Sequence, residues 1–136
     1  MNKQDYEGLA DFRYQLRRFL RFSEDTTQRH GITPLQYQLM LQVKGFPGRS
    51  HASIAELAER LQAKHNSVVA LVTRCEALGL VARRSSEVDL RQVEVHLTPQ
   101  GEACIGKLAR LHRREIDAVA QLLGRRLVDP SPEVQT

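Results

Sequence analysis

Between Ser53 and Gly101 the chain reads SIAELAERLQAKHNSVVALVTRCEALGLVARRSSEVDLRQVEVHLTPQG, and few folds accommodate that order of patterns. Ile54, Leu57, Ala58 and Leu61 recur at helical spacing, and after a polar join, Gln62 to Asn66, so do Val68, Leu71, Val72, Cys75 and Leu78. Two short amphipathic helices joined this tightly form a helix-turn-helix. Gly79 stops the second helix. A strand pair then follows: Leu80 to Arg84, a tip from Ser85 to Leu90, and Arg91 to Leu97. In the last strand Val93, Val95 and Leu97 alternate with Gln92, Glu94 and His96, the pattern of a half-buried strand. The expected fold is mainly α with a small β-hairpin wing, a winged helix-turn-helix whose second helix can enter a DNA major groove.

The pieces Ile54-Ala-Glu-Leu-Ala-Glu-Arg-Leu61, Ser67-Val68, Arg74 and Glu76 followed by Leu78-Gly79-Leu80-Val81, Asp89-x-Arg91, and Leu97-Thr98-Pro99-x-Gly101 occur in an order and spacing that resembles the MarR family of bacterial transcriptional regulators. The resemblance covers roughly residues 10 to 120. It implies a dimeric, ligand- or oxidant-responsive DNA-binding repressor or activator. It also implies that the wing aspartate, Asp89, orients arginines and that the tip arginine, Arg91, enters a minor groove, with Arg74 the best partner to tie Asp89 to the second helix. Two positions depart from the family pattern: Lys64 stands where a serine cap is common, and Ala70 where an arginine is frequent.

A chain of 136 residues, 41% hydrophobic and 26% charged, has the size and composition of one soluble globular domain. No apolar run approaches the ~20 residues of a membrane helix, and the N-terminus is not that of a signal peptide, so a cytoplasmic location is expected and no membrane partner. The two cysteines, Cys75 and Cys104, have neither CxxC nor metal-ligand spacing. With no His/Cys/Glu cluster, catalytic triad or phosphate-binding glycine loop in view, no metal, cofactor or enzymatic activity is expected. The net charge of +4 suits a nucleic-acid partner, yet residues 53–101 carry 6 Lys/Arg against 6 Asp/Glu, so any basic face must come from where the charges sit.

Around this lobe, placed at about residues 52–98, two helices are expected to serve dimerisation, at about 5–30 and 99–124. The first has Leu9, Phe12, Leu16, Phe19 and Leu20 on a main stripe and Tyr14 and Phe22 on a second, more apolar surface than one small core covers. Gly31 ends it. Thr33, Pro34 and Gln36 then open a helix reaching about Lys44, and a loop leads to Ser53, whose capping box with Glu56 starts the helix-turn-helix. A short strand at Ala52 to Ile54 against the wing is expected as well. Thr98 and Pro99 open a last helix with Ile105, Leu108, His112, Ile116, Val119 and Leu123 on one stripe, ending near Gly124, and the tail 129–136 is expected to be loose.

If Val68, Leu71, Val72, Cys75 and Leu78 face inward, the outer face of the second helix carries Asn66, Ala70 and Thr73, flanked by Val69 and Arg74. Asparagine can pair with adenine, Ser67 can reach base or phosphate, and the small Val69 and Ala70 permit close approach. The candidate DNA contacts are thus Lys64, His65, Asn66, Ser67, Val69, Ala70, Thr73, Arg74, Arg84, Asp89 and Arg91. Arg83 is either a phosphate contact or a solvated charge. Double-stranded DNA and a second copy of the chain are the expected partners. A small aromatic or phenolic effector is a third, with Tyr14, Phe19, Tyr37 and His112 as candidate pocket residues, although aromatics at helical spacing are more often plain core. Alternatives are a winged helix used for protein interaction and a thiol-based redox sensor, against which Cys75 lies on the core stripe.

Overall fold

The computed structural model describes residues 1–127, with side chains described as far as Gln121; the tail expected to be loose lies outside the described residues. Helix starts follow local capping chemistry. Asn2 and Asp5 form a reciprocal capping box for α1 (Lys3–Arg29), Thr33 and Gln36 one for α2 (Pro34–Lys44), and Ser53 and Glu56 one for α3 (Ile54–Leu61). Because Asn2 is a cap, α1 begins two residues before the expected Asp5. Strand β1 (His51–Ser53) precedes α3, and α4 (His65–Ala77), β2 (Val81–Ser85), β3 (Val93–Leu97) and α5 (Pro99–Leu127) complete the order.

The short first strand pairs antiparallel with β3, giving a three-stranded sheet in the order β1-β3-β2. β3 begins at Val93 rather than Arg91, because the Gln92 amide donates to the Asp89 carbonyl in a turn. α5 continues past the expected stop at Gly124 to Leu127. α4 begins at His65, two residues before Ser67.

Helix α2 is the centre of the packing. Leu39, Met40 and Val43 are fully buried, joined by Leu57 from α3, Val68, Val72 and Cys75 from α4, Val81 and Val95 from the sheet, and Ile105 and Leu108 from α5. Each such side chain contributes about 1.5–3 kcal/mol on burial. One expected member is absent: Leu78 is the C-cap of α4 and stands 46% exposed.

The end of α4 is a Schellman motif. Gly79, at φ +76°, donates to the Glu76 carbonyl and Leu80 to that of Cys75, a conformation that favours glycine. Leu80 turns inward, and its carbonyl then accepts from the Thr98 amide at 3.1 Å, while Thr98 Oγ1 donates to the Gly79 carbonyl at 2.6 Å. Gly101, in the first turn of α5, lies so close that a Cβ there would meet the Leu80 carbonyl oxygen at 2.0 Å.

On α1 the apolar stripe is left uncovered by the single chain. Leu9, Phe12, Leu16 and Leu20 are exposed, and the buried residues of this helix are the polar Gln15, Ser23, Thr26 and Thr27. Its C-terminal half packs on α2 and α5 through His112. That imidazole donates from Nδ1 to the Leu108 carbonyl at 2.8 Å, and its Nε2 is hydrogen-bonded to the Ser23 hydroxyl, also at 2.8 Å.

Gly101→Ala should destabilise the protein by about 1–3 kcal/mol through overpacking against backbone, measured by denaturant unfolding; an unchanged midpoint would show that the α5 start can shift freely.

Candidate nucleic-acid interface

The inward stripe of α4 is Val68, Leu71, Val72 and Cys75, all buried, so the opposite face is fixed by helix geometry. His65, Asn66, Ser67, Val69, Ala70, Thr73 and Arg74 are all exposed on it, with Lys64 at the N-cap. Lys64 makes no side-chain capping bond and the first turn holds no acid. The N-terminus of α4 therefore keeps its positive end and unbonded amides pointed outward, an arrangement suited to a phosphate.

The wing is oriented by alternation along β2. Val81, Arg83 and Ser85 lie opposite Leu97, Val95 and Val93 of β3, which places Arg83 on the same side as the buried Val81 and Val95. There Arg83 Nη1 binds Glu76 Oε1 at 2.7 Å, Nη2 binds Thr73 Oγ1 at 2.9 Å, and its own amide donates to Glu76 Oε2 at 3.0 Å. These bonds, the backbone one first, hold the Glu76 carboxyl below its usual range. Arg83 is thus not a freely solvated charge; it fastens the wing to α4. Arg84, one residue on, faces the other way and is exposed.

The expected tie between Arg74 and Asp89 does not form, since Arg74 has no hydrogen bond or ion pair among the described residues. Asp89 instead accepts from the Arg91 amide at 3.0 Å and lies 3.4 Å from Arg91 Nε. The Arg91 side chain is 92% exposed at the wing tip. Ser86, unremarked in the sequence, is buried and its hydroxyl accepts from the amides of Val88 and Asp89, closing the turn that presents Asp89 and Arg91.

Three further groups bear on the expectations: an aromatic cluster, the two cysteines and a histidine–glutamate cluster. Tyr37 stacks on His112 at 4.2 Å, with Phe19 and Phe22 edge-on to the same ring, so three of the four suggested pocket residues meet. Burial raises the Tyr37 pKa. Tyr14 does not join them; it is exposed and lines a surface groove with Arg17, Arg18, Leu20, Arg21 and Glu24. Cys75 is fully buried and its thiol is pushed up to about 11 by desolvation, leaving little thiolate for redox chemistry. Cys104 is half-buried, and burial raises its thiol pKa despite the opposing charge of Lys107. Finally, His51, Glu94 and His96 meet on the outer face of the sheet, a cluster with metal-ligating atoms that the sequence hid because His51 lies 43 positions before Glu94.

Residues 30–92 match the sequence profile of the MarR family. Over that stretch the chain is similar to the winged helix-turn-helix of MarR-family regulators. The chain is 29% identical over 111 residues, 81% of its length, to a candidate transcriptional regulatory protein for the hcr operon of Thauera aromatica. It is also 29% identical over 80 residues, 57% of its length, to the transcriptional repressor MdtR of Bacillus subtilis. The matched stretches span 65% and 48% of those two relatives. A MarR family protein from Bacillus stearothermophilus superposes with a TM-score of 0.73 at 22% identity, covering 100% of this chain and 99% of that one. The MarR fold thus extends to the flanking helices. No helix among the described residues is long and apolar enough to cross a membrane.

The Glu76 anchor carries a sign. A carboxyl whose folded pKa lies below 4.5 contributes stability fully above that pH and loses it as the pH falls through the lowered value. Glu76→Gln should accordingly be less stable than wild type at pH 7, with the gap closing in acid; thermal unfolding of both proteins across a pH series reads this, and a gap independent of pH would contradict it.

Proposed function

We propose that the protein is a homodimeric transcriptional regulator that binds pseudo-palindromic DNA, with the N-terminal half of α4 in the major groove and Arg91 in the adjacent minor groove. The observation that carries this is the sorting of charge on a lobe of zero net charge. Glu76 is consumed by Arg83, Glu56 by Arg49 and the Ser53 cap, and Glu94 faces His51 and His96, whereas Lys64, Arg74, Arg84 and Arg91 stay exposed. Asn66, at the start of the exposed face, has the side chain to pair with adenine, and Ser67, Val69 and Ala70 leave room for close approach.

Dimerisation is supported by α1 and α5. Leu9, Phe12, Leu16 and Leu20 on α1 and Ile116 on α5 are exposed, and Phe12, Leu16, Phe19, Ile116, Val119 and Ala120 line an apolar groove of about 240 Å³ between the two helices. A patch of this kind is rarely left in water, and a two-fold partner offering the same surface covers it while pairing two reading heads. Such heads must sit about 34–36 Å apart to engage one face of DNA. A small aromatic or phenolic effector that repacked Phe19, Tyr37 and His112 between α1, α2 and α5 would change that spacing and release DNA. Repression is the sign that the resemblance to MdtR favours, and a cytoplasmic location follows from the same role.

Arg91→Ala should weaken DNA binding about tenfold or more with no loss of melting temperature, as its side chain is 92% exposed and pairs with Asp89. Asn66→Ala should cost about 1–3 kcal/mol on a subset of sequences and relax specificity there. Fluorescence anisotropy against a panel of duplexes separates the two; an Arg91→Ala protein with wild-type affinity would remove the wing from the interface. Sedimentation at micromolar concentration should show a dimer that is lost on deleting residues 1–20, and a stable full-length monomer would overturn the control of half-site spacing.

A further inference from the structure

The outer face of the wing sheet carries side chains that DNA binding does not use. Antiparallel pairing sets His51 directly opposite His96 and Ser53 opposite Glu94, so His51, Glu94 and His96 project from one face of the β1-β3 pair. Their ligand-capable atoms all lie within 4.8 Å of one another. His96 Nε2 is 2.9 Å from Glu94 Oε1, His51 Nδ1 is 3.7 Å from the same oxygen, and the two imidazoles stack with centroids 4.8 Å apart. His51 Nδ1 is shielded from solvent yet makes no hydrogen bond, the kind of orphaned polar atom that folded proteins rarely tolerate without an occupant.

We propose that His51, Glu94 and His96 form a binding site for a divalent transition-metal ion of the zinc class. Two imidazoles and one carboxylate are the donors that such ions take, whereas magnesium and calcium call for oxygen. The scale fits: metal–ligand bonds of about 2.0–2.1 Å put tetrahedral ligands about 3.3–3.4 Å apart, and the observed 2.9 and 3.7 Å fall on either side, within small side-chain rotations. Three protein ligands leave a fourth position facing a cavity of about 420 Å³ also bordered by Arg84, Ser85, Glu87 and Val88. The Glu87 carboxylate on that rim favours a cation. Arg84 opposes one, but it is exposed and can keep its head group in water. The ligands come from β1, which runs directly into α3, and from β3 of the wing, so a bound ion clamps the helix-turn-helix to the hairpin. This site stands whether or not the protein binds DNA.

Untagged full-length protein titrated with zinc chloride by calorimetry should bind one ion per chain, with an unfolding temperature raised by zinc and not by magnesium. Glu94→Gln and His51→Gln should each weaken binding on the order of tenfold or more. In the wild-type protein, nitrogen–proton correlation spectra of the imidazoles should show His51 and His96 shifting first at substoichiometric zinc while His30, His65 and His112 stay in place, a readout that holds even if a variant fails to fold. Absence of saturable binding, wild-type affinity in both folded variants, or initial shifts at His30 or His65 would each overturn the site and leave the cluster a hydrogen-bonded surface group.

Discussion

One contact point holds α4, the wing and the last helix in register. The Schellman turn at Gly79 ends α4 and sends Leu80 into the core, and the backbone atoms it exposes are taken by Thr98. Gly101 then lets the first turn of α5 rest against the Leu80 carbonyl. Three elements meet at backbone distance, so none can tilt without breaking a hydrogen bond or opening the core around Leu80. The sequence run Leu97-Thr98-Pro99-x-Gly101 has a physical content here: a strand end, a cap that also bonds across to α4, a proline suited to a first helical turn, and a residue without a Cβ where backbone approaches backbone.

From that point outward, strand alternation decides electrostatics. Arg83 and Arg84 are adjacent and chemically identical, yet one is turned to Glu76 and Thr73 and the other to solvent. The inward one neutralises a carboxylate of α4 and braces the wing; the outward one remains available to a partner. Sorting of this kind leaves Lys64, Arg74 and Arg84 exposed on a lobe with equal numbers of acidic and basic residues, which composition alone obscures.

Much of the fold was legible because it is written locally. Capping pairs at Thr33–Gln36 and Ser53–Glu56 and the stripe Val68, Leu71, Val72, Cys75 need only neighbours a few residues away. The outer face of α4 followed from the same stripe. What could not be read depends on contacts between distant segments. Arg83 meets Glu76, and Asp89 meets Arg91 rather than Arg74, because β2 docks on α4 in one register, and His51 reaches Glu94 and His96 only after β1 adds to the sheet. Leu78 looked like core by period but falls at the cap, where the helix has already ended. On α1 the apolar stripe was plain, but which side the single chain buries was set by the polar pairing of Ser23 with His112.

That buried histidine also shows how α1 and α5 are joined to the winged-helix lobe. His112 is held by Ser23 of α1 and the Leu108 carbonyl of its own helix, and Tyr37 of α2 lies flat on it. A movement of α1 against α5 is thereby felt by α2, the element on which both halves pack. Such a coupling matters only if the exposed face of α4 and the wing engage a phosphate backbone. The salt dependence of duplex binding by the wild-type protein tests this most directly: log affinity should fall linearly with log salt at a slope of about −0.9 for each phosphate contact, steep for a dimer using Lys64, Arg74, Arg84 and Arg91 twice. A flat response, or no duplex binding at low salt, would contradict it.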